Sequence, residues 1–173
     1  MQLDTIYFYT ASILNWIPLL QEDKFKFIVL DSLIHLVEKR KLEVYGFVIM
    51  PNHIHIIWKN IALNGKEMPY ASFMKFTSHQ FQKELRTGES SLLERFAVER
   101  NNRDYQFWQR NSLPIELYSR GIFEQKLDYI HLNPLQAHWN LVTDPTDYLY
   151  SSASFYEKED RHYSWLTDYR DVI

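Results

Sequence analysis

The chain has 173 residues, no cysteine and a formal net charge of -3, with 46% hydrophobic and 24% charged residues. That length suits one compact domain with a substantial core. The lack of cysteine excludes a disulfide framework and any thiolate metal site, so a metal would need histidine, carboxylate, carboxamide or solvent.

In chain order, residues 6–10 read as a strand, rich in aromatic and β-branched types. Residues 23–40 read as a helix, with Phe27, Leu30, Ile34 and Val37 forming an apolar stripe. Lys39, Arg40 and Lys41 lie at its C-terminal end, where cations suit the helix dipole. Residues 44–50 form a nearly apolar strand, as expected of a central one. Pro51-Asn52 is turn chemistry, and residues 53–58 return as the second strand of a hairpin. Residues 68–86 fit a long helix anchored by Phe73, Phe76 and Phe81. Residues 87–103 are polar and read as a loop with room for one short element, and residues 105–110 and 114–118 as two short strands. Ser119 can cap a helix running to about residue 133, where Pro134 stops it. A Pro- and Tyr-rich tail follows, with a short helix at residues 151–157. Residues 144–173 hold seven acids against three bases, which leaves the rest of the chain near +1.

The order β-α-β-β-α-(β-β)-α-tail predicts an α+β fold: a ferredoxin-like antiparallel sheet with helices packed on one face. One domain is expected over residues 1–156, with an acidic C-terminal tail at 157–173. No apolar run approaches the ~20 residues of a bilayer span, and Met1-Gln2-Leu3-Asp4 does not open a signal peptide. A cytoplasmic protein without membrane association is the expectation.

Two stretches carry chemistry. In Met50-Pro51-Asn52-His53-Ile54-His55, the alternation of a strand turns His53 and His55 to one face and Ile54 and Ile56 to the other. Two imidazoles at that spacing can share a metal ion, or can be hydrogen-bonded structural histidines. In the later helix, Phe123, Leu127 and Ile130 make a core-facing stripe. Beside it lie Lys126, Tyr129 and Asn133, with Tyr129 and Asn133 one turn apart. The alternative there is a half-buried tyrosine and an asparagine that ends the helix.

Together the stretches resemble the single-tyrosine HUH transposases, and most closely the REP-associated tyrosine transposases. The segment Met50 to His55 is similar to the His-hydrophobic-His signature, and Tyr129-Ile130-His131-Leu132-Asn133-Pro134 to the nucleophile helix. Phe107-Trp108-Gln109 and Asp147-Tyr148-Leu149-Tyr150-Ser151-Ser152-Ala153 extend the likeness over residues 5–156. The segment Arg110-Asn111-Ser112-Leu113-Pro114-Ile115-Glu116-Leu117 departs from the family's His- and Asp-rich version.

The resemblance implies that Tyr129 is the nucleophile and that His53, His55 and Asn133 hold a divalent metal, Mg2+ or Mn2+. It implies cleavage and strand transfer of single-stranded DNA, with a hairpin as the recognised shape, through a 5′-phosphotyrosine, by a monomer or homodimer. A phenol is a weak nucleophile near its ordinary pKa of ~10, so a metal or a cation such as Lys126 must assist it or the phosphate. Since the chain is not basic, phosphate contacts would come from local patches: Lys39, Arg40, Lys41, Lys59, Lys75, Lys83 and Arg86, with Trp108 as a base-stacking ring. The main alternative is a domesticated DNA-hairpin-binding protein that no longer cleaves. A relaxase or replication initiator would carry a third histidine or second tyrosine. A metal hydrolase would need an acid near the two histidines.

Overall fold

The computed structural model describes residues 1–100, 103–110, 112, 114–158 and 160–172. Asn101 and Asn102 of the expected loop, and Asn111 and Leu113 of the divergent segment, lie outside the described residues. The elements are β1 (Ile6–Ser12), α1 (Asp23–Glu38), β2 (Leu42–Met50), β3 (His53–Asn60) and α2 (Pro69–Thr87). Then come β4 (Ala97–Arg100), β5 (Arg103–Tyr105), β6 (Ile115–Glu116), α3 (Arg120–Leu132) and α4 (Ala153–Glu157). Among the described residues, one four-stranded sheet runs β2-β3-β1-β6, every pair antiparallel, and β4-β5 form a separate ribbon. This is the expected mixed fold with a ferredoxin-like strand order. No helix of the described residues is long and apolar enough to cross a membrane.

Strand alternation divides the molecule. Ile54, Ile56 and Trp58 of β3 enter the larger core with Phe25, Val29, Leu33 and Leu36 of α1 and Phe73, Phe81 and Leu85 of α2. Ile57 of β3 enters a smaller core on the other face, with Phe8, Val48 and Met50 and with Phe123, Leu127 and Ile130 of α3. Two helices therefore share one face as expected, and α3 crosses the other. The first face is already covered by two helices, and the short apolar stripe of α3 fits the second.

The buried stripe of α1 differs from the expected one. Of the expected stripe, Leu30 is buried, Ile34 and Val37 are half-buried and Phe27 is 53% exposed, while Phe25, Val29, Leu33 and Leu36 are buried. Helix α1 is apolar on more than one side, so spacing alone does not choose the face. Phe76 of α2 is likewise exposed, beside the buried anchors Phe73 and Phe81. The two short strands also shrink: the ribbon ends at Tyr105, Trp108 makes a single bridge to Ile13, and only Ile115–Glu116 of the second joins the sheet.

β2 carries a bulge. Val44 pairs with Trp58 and Gly46 with Ile57, so Tyr45 is the extra residue. Tyr45 and Gly46 then both face α3, and a Cβ on Gly46 would lie 2.6 Å from Leu127 Cδ1. The glycine lets helix and sheet meet closely at this point.

β2 is an edge strand and not the central one its apolar run predicted; its outer side is buried because the C-terminal segment covers it. Ile49 N–H donates to the Tyr150 carbonyl, Ser152 N–H to Phe47 and Thr167 N–H to Val44, each at 2.9 Å. Tyr163 and Leu166 are buried in the larger core and Trp165 stacks on Phe47, so much of the acidic tail packs against the sheet.

Candidate functional site

Three elements meet on the face covered by α3. β1 presents Phe8, Thr10 and Ser12, β3 presents His53 and His55, and α3 presents Lys126 and Tyr129, with Asn133 at its C-terminal end. The β1–β3 register sets Thr10 opposite His55 and Ser12 opposite His53. These side chains surround one cavity of about 600 Å³.

The two imidazole rings lie 4.8 Å apart, centroid to centroid, and both are buried. His53 Nδ1–H donates to Asn52 Oδ1 at 2.8 Å, which leaves the lone pair on Nε2. His55 Nδ1 is paired with Thr10 Oγ1 at 2.7 Å, and its buried Nε2 has no hydrogen-bond partner among the described residues. Burial pushes the His53 pKa down to about 4; a protonated ring would gain from the Asn133 carboxamide, and His138 opposes it. Burial, then His53 and Lys126, push His55 down to about 3. Both rings are neutral at pH 7 and offer lone pairs.

Asn133 is also buried, and its Oδ1 has no hydrogen-bond partner among the described residues. Buried polar atoms are normally satisfied, so the orphaned His55 Nε2 and Asn133 Oδ1 on one cavity call for a ligand there; with His55 Nδ1–H donating to the Thr10 hydroxyl, Nε2 offers its lone pair to a cation. Neutral N, N and O donors fit a divalent ion such as Mn2+ or Mg2+. Among the described residues no group of three or more His, Cys, Asp or Glu could hold a metal. A third side-chain donor must then be of another kind, as the Asn133 carboxamide is.

The Tyr129 ring lies 5.2 Å from His55 and 6.0 Å from Phe8, edge-on to both, and the residue is 43% exposed. Lys126 Nζ sits 5.1 Å from the Phe8 ring and 5.9 Å from the Tyr129 ring. The fold thus gathers His53, His55, Lys126, Tyr129 and Asn133 from parts of the chain some seventy residues apart.

α3 is tied to the sheet by a buried hydrogen bond. His131 Nε2 is 2.9 Å from Ser152 Oγ, which also accepts from Phe47 N–H at 3.0 Å. Burial pushes His131 down to about 4, so this ring is neutral as well. Ser152 belongs to the double-serine segment, whose role here is to brace α3 and the bulge of β2.

The other basic residues do not converge on the cavity. Lys39, Arg40 and Lys41 precede Leu42, at the far end of β2 from the His53 partner Met50, roughly 26 Å away at ~3.3 Å per residue. Lys59 is paired with Glu43 at 2.7 Å and Lys75 with Glu67 at 3.1 Å. Lys83 and Arg86 are exposed on α2, behind the opposite face, and Arg86 lies over the Tyr105 ring. Trp108 is not an open stacking surface. It is 5% exposed, packs with Phe73 and Phe81, and donates its indole N–H to Thr77 Oγ1 at 2.9 Å.

Sequence reasoning missed four residues here. Thr10 and Asn52 orient the histidines, and Trp16 and Trp139 flank His53 at 6.4 and 5.8 Å. Only Asn52 had a sequence signal, its place beside His53 in the turn.

No protein-family model matches the chain, and no curated protein matches it in sequence. Solved structures do match. One is a REP-associated tyrosine transposase bound to a REP hairpin, at 18% identity and a TM-score of 0.60, over 88% of this chain and 78% of that one. Another, a transposase candidate from Deinococcus radiodurans R1, aligns at 15% identity and a TM-score of 0.43, over 72% and 87%. The chain has the fold of the REP-associated tyrosine transposase.

Proposed function

We propose that this protein is a transposase of the REP-associated tyrosine type, which cleaves and rejoins single-stranded DNA through Tyr129. One observation carries the reading: the Tyr129 ring stands 5.2 Å from His55, on a cavity that also holds the orphaned His55 Nε2 and Asn133 Oδ1. The fold shared with the hairpin-bound transposase supports a DNA hairpin as partner.

His53, His55 and Asn133 would hold a divalent cation, Mg2+ or Mn2+. The chemistry such an ion supplies when bound is withdrawal of charge from a non-bridging phosphate oxygen. The chain's own residues do the rest. Asn52 and Thr10 fix the two rings, Lys126 offers an ammonium to phosphate charge, and the half-exposed Tyr129 releases its proton to solvent as its oxygen attacks phosphorus. The bond from phosphorus to the 3′-oxygen breaks and that oxygen takes up a proton. The products are a 3′-hydroxyl end and a 5′-phosphotyrosine. Attack by another 3′-hydroxyl reverses the exchange, joining new strands and returning the phenol without ATP.

The test uses labelled single-stranded oligonucleotides that carry the hairpins flanking the gene. The expected result is a covalent protein–DNA adduct that requires Mg2+ or Mn2+ and disappears in Tyr129→Phe. No adduct with either ion, or one that survives Tyr129→Phe, overturns the reading. Tight hairpin binding without any adduct would select the non-cleaving, domesticated alternative.

A further inference from the structure

Trp16 stands at the mouth of the same cavity in an unusual conformation. Asn15 and Trp16 both occupy the left-handed region, with φ of 54° and 56°. Asparagine tolerates this region; a bulky aromatic residue rarely enters it, and such outliers gather at functional sites. Despite its size, the Trp16 residue is 57% exposed.

The surrounding turn holds it there. Trp16 N–H donates to the Ile13 carbonyl at 3.0 Å, and Ile13 N–H to the Asn52 carbonyl at 2.8 Å. Asn52 Nδ2 donates to the Trp16 carbonyl at 3.3 Å, while Asn52 Oδ1 accepts the His53 proton. One side chain therefore fixes both the histidine and the tryptophan loop. The Trp16 ring stands at 73° to the His53 ring, with centroids 6.4 Å apart, and lines the cavity.

We propose that Trp16 is a stacking platform for one unpaired nucleobase next to the phosphate that Tyr129 attacks. This rests on the nuclease reading above. A nucleobase is the ligand whose flat π face matches an exposed indole, and stacking of this kind tolerates any base. A platform one ring away from a metal-site histidine would orient the sugar-phosphate backbone before reaction.

The experiment compares two probes, an eight-nucleotide oligothymidylate and an octamer of abasic residues with the same phosphates. Binding is measured in Mg2+ in the Tyr129→Phe background, where no cleavage intervenes. The expected result is that the oligothymidylate binds more tightly and that Trp16→Ala reduces this preference about tenfold, within the range for base–aromatic stacking. Trp16→Phe should keep part of the preference, with the melting temperature unchanged in both variants. An undiminished preference in Trp16→Ala, or an equal loss for both probes, overturns the platform. The two readings fail separately. Adduct formation by protein retaining Tyr129 tests the nuclease; if it never occurs while the Trp16-dependent preference persists, the base site stands as a site of a non-cleaving protein. If adducts form but Trp16→Ala leaves the preference intact, only the platform is lost.

Discussion

Gly46→Ala adds one methyl group where α3 crosses the sheet. Its Cβ would lie 2.6 Å from Leu127 Cδ1 and 3.4 Å from Ser152 Oγ. Carbon pairs rest at about 3.5–4.0 Å, so roughly 1 Å must be found. Leu127 is buried in the smaller core with Phe123 and Ile130, which restrains its rotamer, and the helix should give way instead. Overpacking of this kind costs about 1–3 kcal/mol, or a few degrees of melting temperature for a chain of this size. Tyr129 lies two residues further along α3 and moves with it. A misplacement of about 1 Å at a reacting group can lower a rate about 100-fold. Single-turnover adduct formation should therefore fall about 100-fold, while oligonucleotide binding changes only a few-fold. Leu127→Ala removes the clashing carbon, so the double variant should regain most of the rate lost in Gly46→Ala. An unchanged rate in Gly46→Ala, or a double variant no faster than the single one, would refute this account of how the helix is seated.

Three further outcomes are expected. Asn52→Ala should weaken Mn2+ binding by about 10–100-fold in calorimetry, because His53 loses the partner that fixes its tautomer, whereas Asn52→Asp keeps an acceptor and should lose less. Ser152→Ala should lower stability by about 1–3 kcal/mol in urea unfolding, since His131 Nε2 and Phe47 N–H both lose their buried partner. Stability should also decline on acidification: the unfolded chain protonates its histidines near pH 6.5, while folded His131, His53 and His55 resist until about 4, 4 and 3. The unfolded state then binds more protons across that window, so stability is full above pH ~6.5 and lost as pH falls toward 4, by about 3 kcal/mol for His131 alone. Urea midpoints measured from pH 7 to pH 4 would show it, and a flat profile would contradict it.

The parts of the site that were legible in the sequence are those set by regular periodicity. The two-residue repeat of β3 put His53 and His55 on one face, and the helical repeat put Tyr129 and Asn133 beside the stripe of Phe123, Leu127 and Ile130. Periodicity does not say which face of a sheet a helix will cover, so the crossing of α3 opposite α1 and α2 had to come from the fold. Helix α1 offered two apolar stripes, and neighbouring helices chose between them. Trp108 and Trp16 show a different limit. Composition cannot tell an indole that fills a core from one held in solvent, because exposure depends on a turn whose backbone runs through the left-handed region. The hydrogen bonds that join Asn52 to both His53 and Trp16 have no periodic signature at all.

The covering of β2 bears on how copies of this protein can associate. Exposed strand edges are templates for another chain, and here the amide and carbonyl groups of Phe47, Ile49 and Val44 are engaged by Ser152, Tyr150 and Thr167. Two copies therefore cannot fuse their sheets into one continuous sheet through this side. Deleting the residues after 156 would strip part of that cover along with Tyr163 and Leu166, leaving a sticky border and an opened core. The shortened protein should self-associate or precipitate, which size-exclusion chromatography would show.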